Sequence, residues 1–495
     1  MAVPKVCGIE TEYGIALRGA VDPNPVLASS MLVNAYVEHR RVGWDFEDET
    51  PDRDARGYVR EGASPPEVET HLVNAVLTNG ARYYVDHAHP EYSSPECTNA
   101  LELTLFDKAG ERILARSMTA AGRTLPDGQT IVVYKNNSDG KGNSYGCHEN
   151  YLLDRAVPFA QFVRHMLPWL VTRQIFTGAG KVGAENGGSD TRFQISQRAD
   201  FFEEEVGLET TLRRPIVNTR DEPHADTQVY RRLHVIVGDA NLCEVPTFLK
   251  VGTTSIVLAM IEDGFIDKDF SLSAPVAALR AVSRDLGCRS PVELADGTRL
   301  SPLEIQWEFL RLAQKYADDI GLAPCGGDEV GRLVLRRWED VLAALERDPL
   351  ELDGVLDWVT KHQLLQAFSA REERGWESPK LALMDLQYHD VRPERSLYER
   401  LVGAGKVERI LDEDAVLAAM AEPPTTTRAY FRGHCLARWP EAIVAANWDS
   451  MIFDVGEESL RRVPMLEPLR GTKAHVDELL RSCATPAELV ARLGS

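Results

Sequence analysis

The segment Asn79-Gly80-Ala81-Arg82-Tyr83-Tyr84-Val85-Asp86-His87-Ala88-His89-Pro90-Glu91 constrains this chain more than any other. It predicts a strand entered through an Asn-Gly turn, with aromatic and β-branched residues together. Strand side chains alternate faces, so Arg82, Tyr84 and Asp86 should point one way and Tyr83, Val85 and His87 the other. An arginine, a phenol and a carboxylate on one face make a poor dry core, because each buried polar atom needs a partner. A nucleotide, a metal or a polar substrate would supply such partners.

A second strand-like segment, Val6 to Ile15, puts Gly8, Glu10 and Glu12 on one face. Two carboxylates two positions apart repel each other unless a cation sits between them. Hard divalent cations such as Mg²⁺ favour oxygen ligands of this kind. A solvent-facing side of an antiparallel sheet would give the same alternation.

At 495 residues the chain has room for one large core and a smaller domain, or for two to three ordinary domains. Its net charge of −21 argues against general nucleic-acid binding, which needs a basic surface. The eight cysteines are scattered without a CxxC pair, which argues against a zinc site or a disulfide framework. With no signal-peptide pattern at MAVPKVCGIE, a reducing cytoplasm is the expected setting. The apolar stretch Phe159 to Phe176 contains Arg164, His165, Pro168 and Arg173, and reads as a buried helix rather than a membrane span.

Strand signals dominate the first half: 131-IVVYKNN-137, 192-RFQISQR-198, 215-PIVNTR-220 and 232-RLHVIVGD-239. Leu27 to Tyr36 can carry a helix, and from about Val251 the chain is mostly helical. Leu335, Trp338, Leu342 and Leu345 fall on one helix face, with Pro349 beyond its end. Asp412 should cap a helix through Met420, and Thr485-Pro486-Ala487-Glu488 should open the last one with a capping box. Pro423-Pro424 marks a boundary between residues 1–424 and a small unit, 425–495, with strand-like 428-RAYFRGH-434 and 450-SMIFDV-455. Residues 42–69, crowded with Asp, Glu, Arg, Gly and Pro, read as a mobile inserted loop and a gate beside the Asp86 strand. A passive linker is the plainer alternative.

Polar residues alternate with apolar ones in several further strands: Arg192, Gln194, Ser196 and Arg198; Asn218 and Arg220; Arg232 and His234. Together they predict a sheet with one greasy face under helices and one concave polar face. His148 or His234 alone would more often be a satisfied structural histidine. The chain has no GxxxxGK[ST], no GxGxxG after a strand, no GxSxG and no HExxH. Asp86 is therefore the candidate nucleophile or base.

The strings GIETEYGI, NGARYYVDHAHPEYSSPE, YKNNSDGKGNSYGCHENYL, NTRDEPHAD, RRLHVIVGDAN and TTRAYFRG together resemble the Pup ligase/depupylase family, the pupylation enzymes of actinobacteria. One branch attaches the small protein modifier Pup and the other removes it. The insertion at 42–69, the string VDHAHPEYSSPE and 467-EPLRGTKAHV-476 resemble the removing branch, while GIETEYGI is closer to the attaching one. The resemblance implies an α+β fold related to glutamine synthetase. Its large domain has a curved, mainly antiparallel sheet backed by helices, and a small C-terminal domain closes one end. It implies Glu10, Tyr84 and Glu91 as magnesium ligands, Arg82, Ser94 and Trp448 as ATP contacts, and Asp86 as the catalytic aspartate. His148, Arg220 and His234 fall in motifs lining the cradle on the substrate side. The implied cofactors are ATP and Mg²⁺. The implied partners are Pup and pupylated proteins, with the chain a monomer and no role for nucleic acid or membrane. The implied reaction is hydrolysis of the isopeptide bond between Pup's C-terminal glutamate and a lysine, with deamidation of Pup ending in glutamine. Rival readings are Pup–protein ligation, a small-molecule carboxylate–amine ligase, and an inactive Pup-binding regulator. Because Pup is acidic, Arg198, Arg213, Arg214, Arg220, Arg231 and Arg232 offer a local basic track, unless they pair with Glu203, Glu204, Glu205 and Asp221.

Overall fold

Two tight turns decide the register of the central sheet. In the computed structural model, which describes residues 1–37, 42–47, 49–57, 73–185, 191–373 and 375–493, Gly80 takes φ +82°. Its amide donates to the Leu77 carbonyl at 2.9 Å, closing the Asn-Gly turn. The chain then doubles back, pairing Asn74 with Tyr84 and Val76 with Arg82. A second reversal at His87-Ala88 pairs Asp86 with His89, Tyr84 with Glu91 and Arg82 with Ser93. His87 sits in this turn at φ +52°, so it leaves the strand alternation expected for it. Its Nδ1 lies 3.1 Å from Asp86 Oδ1 instead.

The sheet has six strands in the order Tyr230–Val235, Cys147–Asp154, Cys7–Glu12, His89–Ser93, Arg82–Asp86, Asn74–Val76. Every neighbouring pair is antiparallel. One face is apolar: Ile9, Tyr83, Val85, Tyr92, Tyr151 and Leu233 are buried in the main core. Helices Ala100–Ala121 and Glu244–Glu262 pack behind it. Asn99 caps the first, accepting the Glu102 amide at 2.9 Å. The second is long and apolar enough to cross a membrane, but all of its apolar window is buried, as befits a core helix. The fold is thus α+β, a curved antiparallel sheet backed by helices, as expected.

The remaining helices follow their sequence signals. Asp328–Arg347 buries Leu335, Trp338, Leu342 and Leu345. Asp412 caps Glu413–Ala418 by accepting the Asp414 and Ala415 amides. Thr485 Oγ1 accepts the Glu488 amide at 3.2 Å, while Glu488 reaches back to the Ala484 amide at 2.7 Å, one residue beyond a capping box.

Three local expectations are corrected. Residues 428–434 do not form a strand; Ala429–Arg438 is a helix. Arg428 and Arg432, four residues apart, both reach Glu96, and this pairing overrides the β-propensity of Tyr430-Phe431. In 192–198 only Phe193–Gln194 is strand. Ser196 Oγ accepts the Arg198 and Ala199 amides and donates to Asp239, so the chain turns there. Asn218 lies inward, its side chain donating to the Leu208 and Glu209 carbonyls.

The beginning of the 42–69 segment is structural. Gly43–Trp44 adds in parallel to Ile443–Ala446, which continues through Ser450–Phe453 to Arg461–Pro464 as a four-stranded sheet. Val42, Trp44 and Val76 share a second hydrophobic cluster with Tyr430, Met451, Phe453 and Leu480. Residues 49–57 are tied to 219–222: Thr219 Oγ1 donates to Asp54 at 2.7 Å, and the Asp221 amide donates to the Arg53 carbonyl at 2.8 Å. Residues 58–72, which include the last part of the 42–69 gate reading, lie outside the described residues.

Trp44→Ala should therefore destabilise the small sheet by about 3 kcal/mol, the usual cost of removing a buried aromatic ring. The melting midpoint should fall clearly, while Val21→Ala, at a fully exposed position, should leave it unchanged. Equal midpoints for the two variants would contradict the packing assigned to Trp44.

Candidate active site

The polar face of the sheet floors a cleft of about 560 Å³. Strand register sets its floor. On the Cys7–Glu12 strand, Glu10 stands opposite Ser93 and His148, and Glu12 stands opposite Glu91. Tyr84 adjoins Glu91 on the other side. Two groups result, each with ligand atoms within 4.8 Å of one another: Glu12, Asp86 and Glu91, and Glu10, His148 and His234. Gly146 allows His148 its position, since a Cβ there would meet His148 Nε2 at 2.2 Å.

Asn150 links the second group. Its Nδ2 donates to Glu10 Oε1 at 2.8 Å, and His234 Nδ1 donates to its Oδ1 at 2.9 Å. The His148 and His234 rings meet edge to face at 5.0 Å. Arg82 lies between aromatic rings, 4.0 Å from Trp44 and 3.9 Å from Tyr84, and its Nε donates to Asn74 at 3.0 Å. Trp448 closes this end, its ring 5.2 Å from Trp44.

The carboxyls are driven apart in acidity. Burial, then the charges of Asp86, Glu12 and Glu10, push Glu91 well above the ordinary carboxylate range. Burial would also raise Asp86, but the bond from His87 and the positive charge of His87, Arg82 and His148 together outweigh it and leave Asp86 below that range. Burial opposes ionisation of Glu10 too, yet the His148 bond, with His234 and the charged Arg232 close by, brings it down. Burial and then Glu91 raise the Tyr84 phenol far above its usual value. Burial, with Arg232 nearby, keeps His234 neutral. The cleft thus sets an Asp86 that favours its charged form beside a Glu91 whose environment favours the protonated form.

Of the residues expected at the site, Glu10, Arg82, Tyr84, Asp86, Glu91, His148, Arg220, His234 and Trp448 all line this cleft. Ser94 lies in a smaller adjoining pocket of about 80 Å³, which shares Glu10, Arg232 and Trp448 with the cleft. Its hydroxyl accepts the Ile9 amide at 3.0 Å and donates to the Pro95 carbonyl at 3.1 Å. The expected ligand set Glu10, Tyr84 and Glu91 is spread over the two groups, with Tyr84 flanking Glu91. Sequence reasoning noticed the shared face of Glu10 and Glu12 but did not carry Glu12 into the site. It also missed Asn150, although Asn150 is two residues from His148 on the same strand. The oxygen set of Glu12, Asp86 and Glu91 suits a hard divalent cation. Buried Arg220 Nε and Arg232 Nε and Nη2, with no hydrogen-bond partner among the described residues, suit an anion.

A helix-backed antiparallel sheet whose polar face gathers carboxylates, histidines and arginines is the arrangement of an enzyme's active-site cleft. The chain belongs to the Pup-ligase family, whose description, Pup-ligase protein, matches residues 5–452. It is 56% identical over 500 residues to a depupylase of Acidothermus cellulolyticus, covering 99% of each chain. It is 49% identical over 503 residues to a Pup deamidase/depupylase of Mycolicibacterium smegmatis, again covering 99% of each. Its fold matches the crystal structure of the complex between prokaryotic ubiquitin-like protein Pup and its ligase PafA, with TM-score 0.81, 34% identity and 97% and 92% of the two chains covered. It also matches the Pup ligase PafA in complex with ADP, with TM-score 0.76, 36% identity and 88% and 98% covered.

The acidity of Glu91 gives a test of the cation site. Cation binding favours the charged carboxylate, so below Glu91's raised value each Mg²⁺ bound should release a proton, and affinity should rise with pH. Calorimetric titration in buffers of different ionisation enthalpy should show this release. Glu91→Gln should abolish it, and both Glu91→Gln and Glu10→Gln should weaken Mg²⁺-dependent nucleotide binding. Buffer-independent heats for the wild type, or unchanged affinity in both variants, would remove these residues from the cation site.

Proposed function

We propose that this chain is a depupylase and Pup deamidase, hydrolysing the isopeptide bond between the C-terminal glutamate of Pup and a substrate lysine, and converting a C-terminal glutamine of Pup to glutamate. The chemistry rests on one observation above all: an ionised Asp86 held within ligand distance of Glu12 and Glu91 at the floor of the cleft. The direction, removal rather than attachment, is supported by the 56% and 49% identities to a depupylase and a deamidase/depupylase, against 42% to Pup–protein ligases.

Both reactions add water across a side-chain amide. The C–N bond breaks, a C–O bond forms, and the proton goes to the departing amine, which is lysine in one case and ammonia in the other. Asp86 either attacks the γ-carbonyl or takes the proton of the attacking water; both need it ionised. Bound ATP and Mg²⁺ would supply positive charge and phosphate oxygens that complete the site and polarise the carbonyl. Glu10, Tyr84, Glu91 and the neighbouring Glu12 would hold Mg²⁺. Arg82, Ser94 and Trp448 would hold the nucleotide. His148 and His234 lie on the far side of the Cys7–Glu12 strand from Asp86, and with Arg220 would face the modifier. Amide hydrolysis is downhill, so the nucleotide need not be consumed at each turnover.

Incubation with Pup–protein conjugates tests the reading directly. Released Pup and free protein are expected; new conjugates from Pup and protein would mark a ligase instead. Asp86→Asn should cut release by about 10²-fold or more while leaving nucleotide binding in place. Wild-type turnover by this variant would refute the assignment of Asp86. Arg220→Ala should raise KM for Pup about tenfold to a hundredfold, the usual cost of a lost charge-assisted bond, and raise it less for ATP. Normal Pup affinity with impaired nucleotide binding would move Arg220 to the phosphates.

A further inference from the structure

A second cavity lies apart from the cleft. It holds about 360 Å³ and shares no lining residue with the cleft or with its adjoining pocket. One wall is the two-stranded ladder of Gly14–Arg18 and Thr130–Tyr134, which pairs Arg18 with Thr130 and Gly14 with Tyr134. The other is the helix Pro379–Tyr388 and the turn that follows it. The Val391 amide donates to the Val133 carbonyl at 3.0 Å, and Gln387 Nε2 donates to the Arg395 carbonyl at 3.3 Å, so both walls are tied to that turn.

Three guanidiniums converge on this cavity. Arg392 is bonded to Asp390 through Nε at 3.0 Å and Nη2 at 2.7 Å. Arg18 Nη2 donates to the Tyr134 hydroxyl at 2.6 Å, and among the described residues neither Arg18 nor Arg395 pairs with a carboxylate. Tyr134 is only 5% exposed; its oxygen accepts the bond from Arg18, and its own proton has no acceptor among the described residues. Burial raises the phenol above its usual value, so that proton stays available for donation.

Charge decides what such a cavity can hold. Three arginines and one aspartate line it, an excess of two positive charges. Glu394, whose charge reaches Arg392, is exposed and outside the lining. The chain carries 76 acidic residues against 55 lysines and arginines, so carboxylate partners are abundant. Two arginines left without one around a single cavity, beside a buried hydroxyl that can still donate, are the donor set of an anion site. Its one carboxylate is already bonded to Arg392, so the cavity is built to hold an anion rather than to react with one. The strand Gly14–Arg18 runs on from Glu12 of the acidic group, which sets the two sites about 20 Å apart along the chain.

We propose that this cavity binds a compact dianion, a phosphate or a short dicarboxylate, at a site separate from the active-site cleft. Arg18 and Arg395 hold its charge, and Tyr134 donates to one of its oxygens. The inference does not depend on the reaction assigned to the cleft.

Equilibrium dialysis of the full chain tests it, with the cleft saturated by ADP and Mg²⁺ and the ionic strength held constant with chloride. The probes are inorganic phosphate, at a pH where it is doubly charged, and succinate. The wild type should retain one equivalent of at least one probe, and the probe held more tightly identifies the source. Arg18→Gln and Arg395→Gln should each weaken retention about tenfold or more, the usual loss with a charge-assisted bond. Both side chains are exposed, so both variants should fold. Arg347→Gln, which removes the same charge from the exposed end of Asp328–Arg347, should leave retention unchanged. Retention of neither probe would overturn the site. Equal weakening in all three variants would mark general charge attraction and overturn it too. So would unchanged retention in both cavity variants, which would put the anion elsewhere.

Discussion

Mutual repulsion among carboxylates on one sheet face is the constraint on which the rest of this molecule depends. Antiparallel register puts Glu12 opposite Glu91, and the turn at His87-Ala88 returns Asp86 to the same place. These groups cannot all be ionised so close together without positive charge. The protein answers with one carboxyl pushed toward its protonated form, one held toward its charged form beside His87, and basic groups along the walls. The arrangement costs stability, and a cation would relieve it.

The apolar face makes that polar face affordable. Tyr83, Val85, Tyr92 and Ile9 are locked against the helices behind, so the alternate residues have only one direction to point. A one-residue slip would bury the carboxylates and expose the aromatics.

Residues 425–493 complete the site through charge and rings. Glu96, next to the cleft-lining strand, is held down to about 2: burial opposes its charge, but Arg432 and Arg428 prevail. Those arginines fix the helix Ala429–Arg438, and the sheet beyond it presents Trp448 to Trp44. The start of the acidic segment thereby belongs to the wall of the cleft rather than to a free loop.

The sequence alone determined which residues of Cys7–Glu12 and Arg82–Asp86 face the cleft, because strand period is two and buried residues alternate with less buried ones along both. It also determined the helices whose caps and apolar stripes are local. It misjudged 428–434, 192–198 and Trp44, where a partner distant in sequence decides the conformation: Glu96, Asp239 and the Ile443–Ala446 strand. The grouping of the ligands was likewise invisible. Alternation says that Glu10 and Glu12 share a face; only inter-strand register says that Glu12 joins Glu91 and Asp86 while Glu10 joins the histidines. Register depends on contacts between segments far apart in the chain, and such contacts exist only once the tertiary structure has formed.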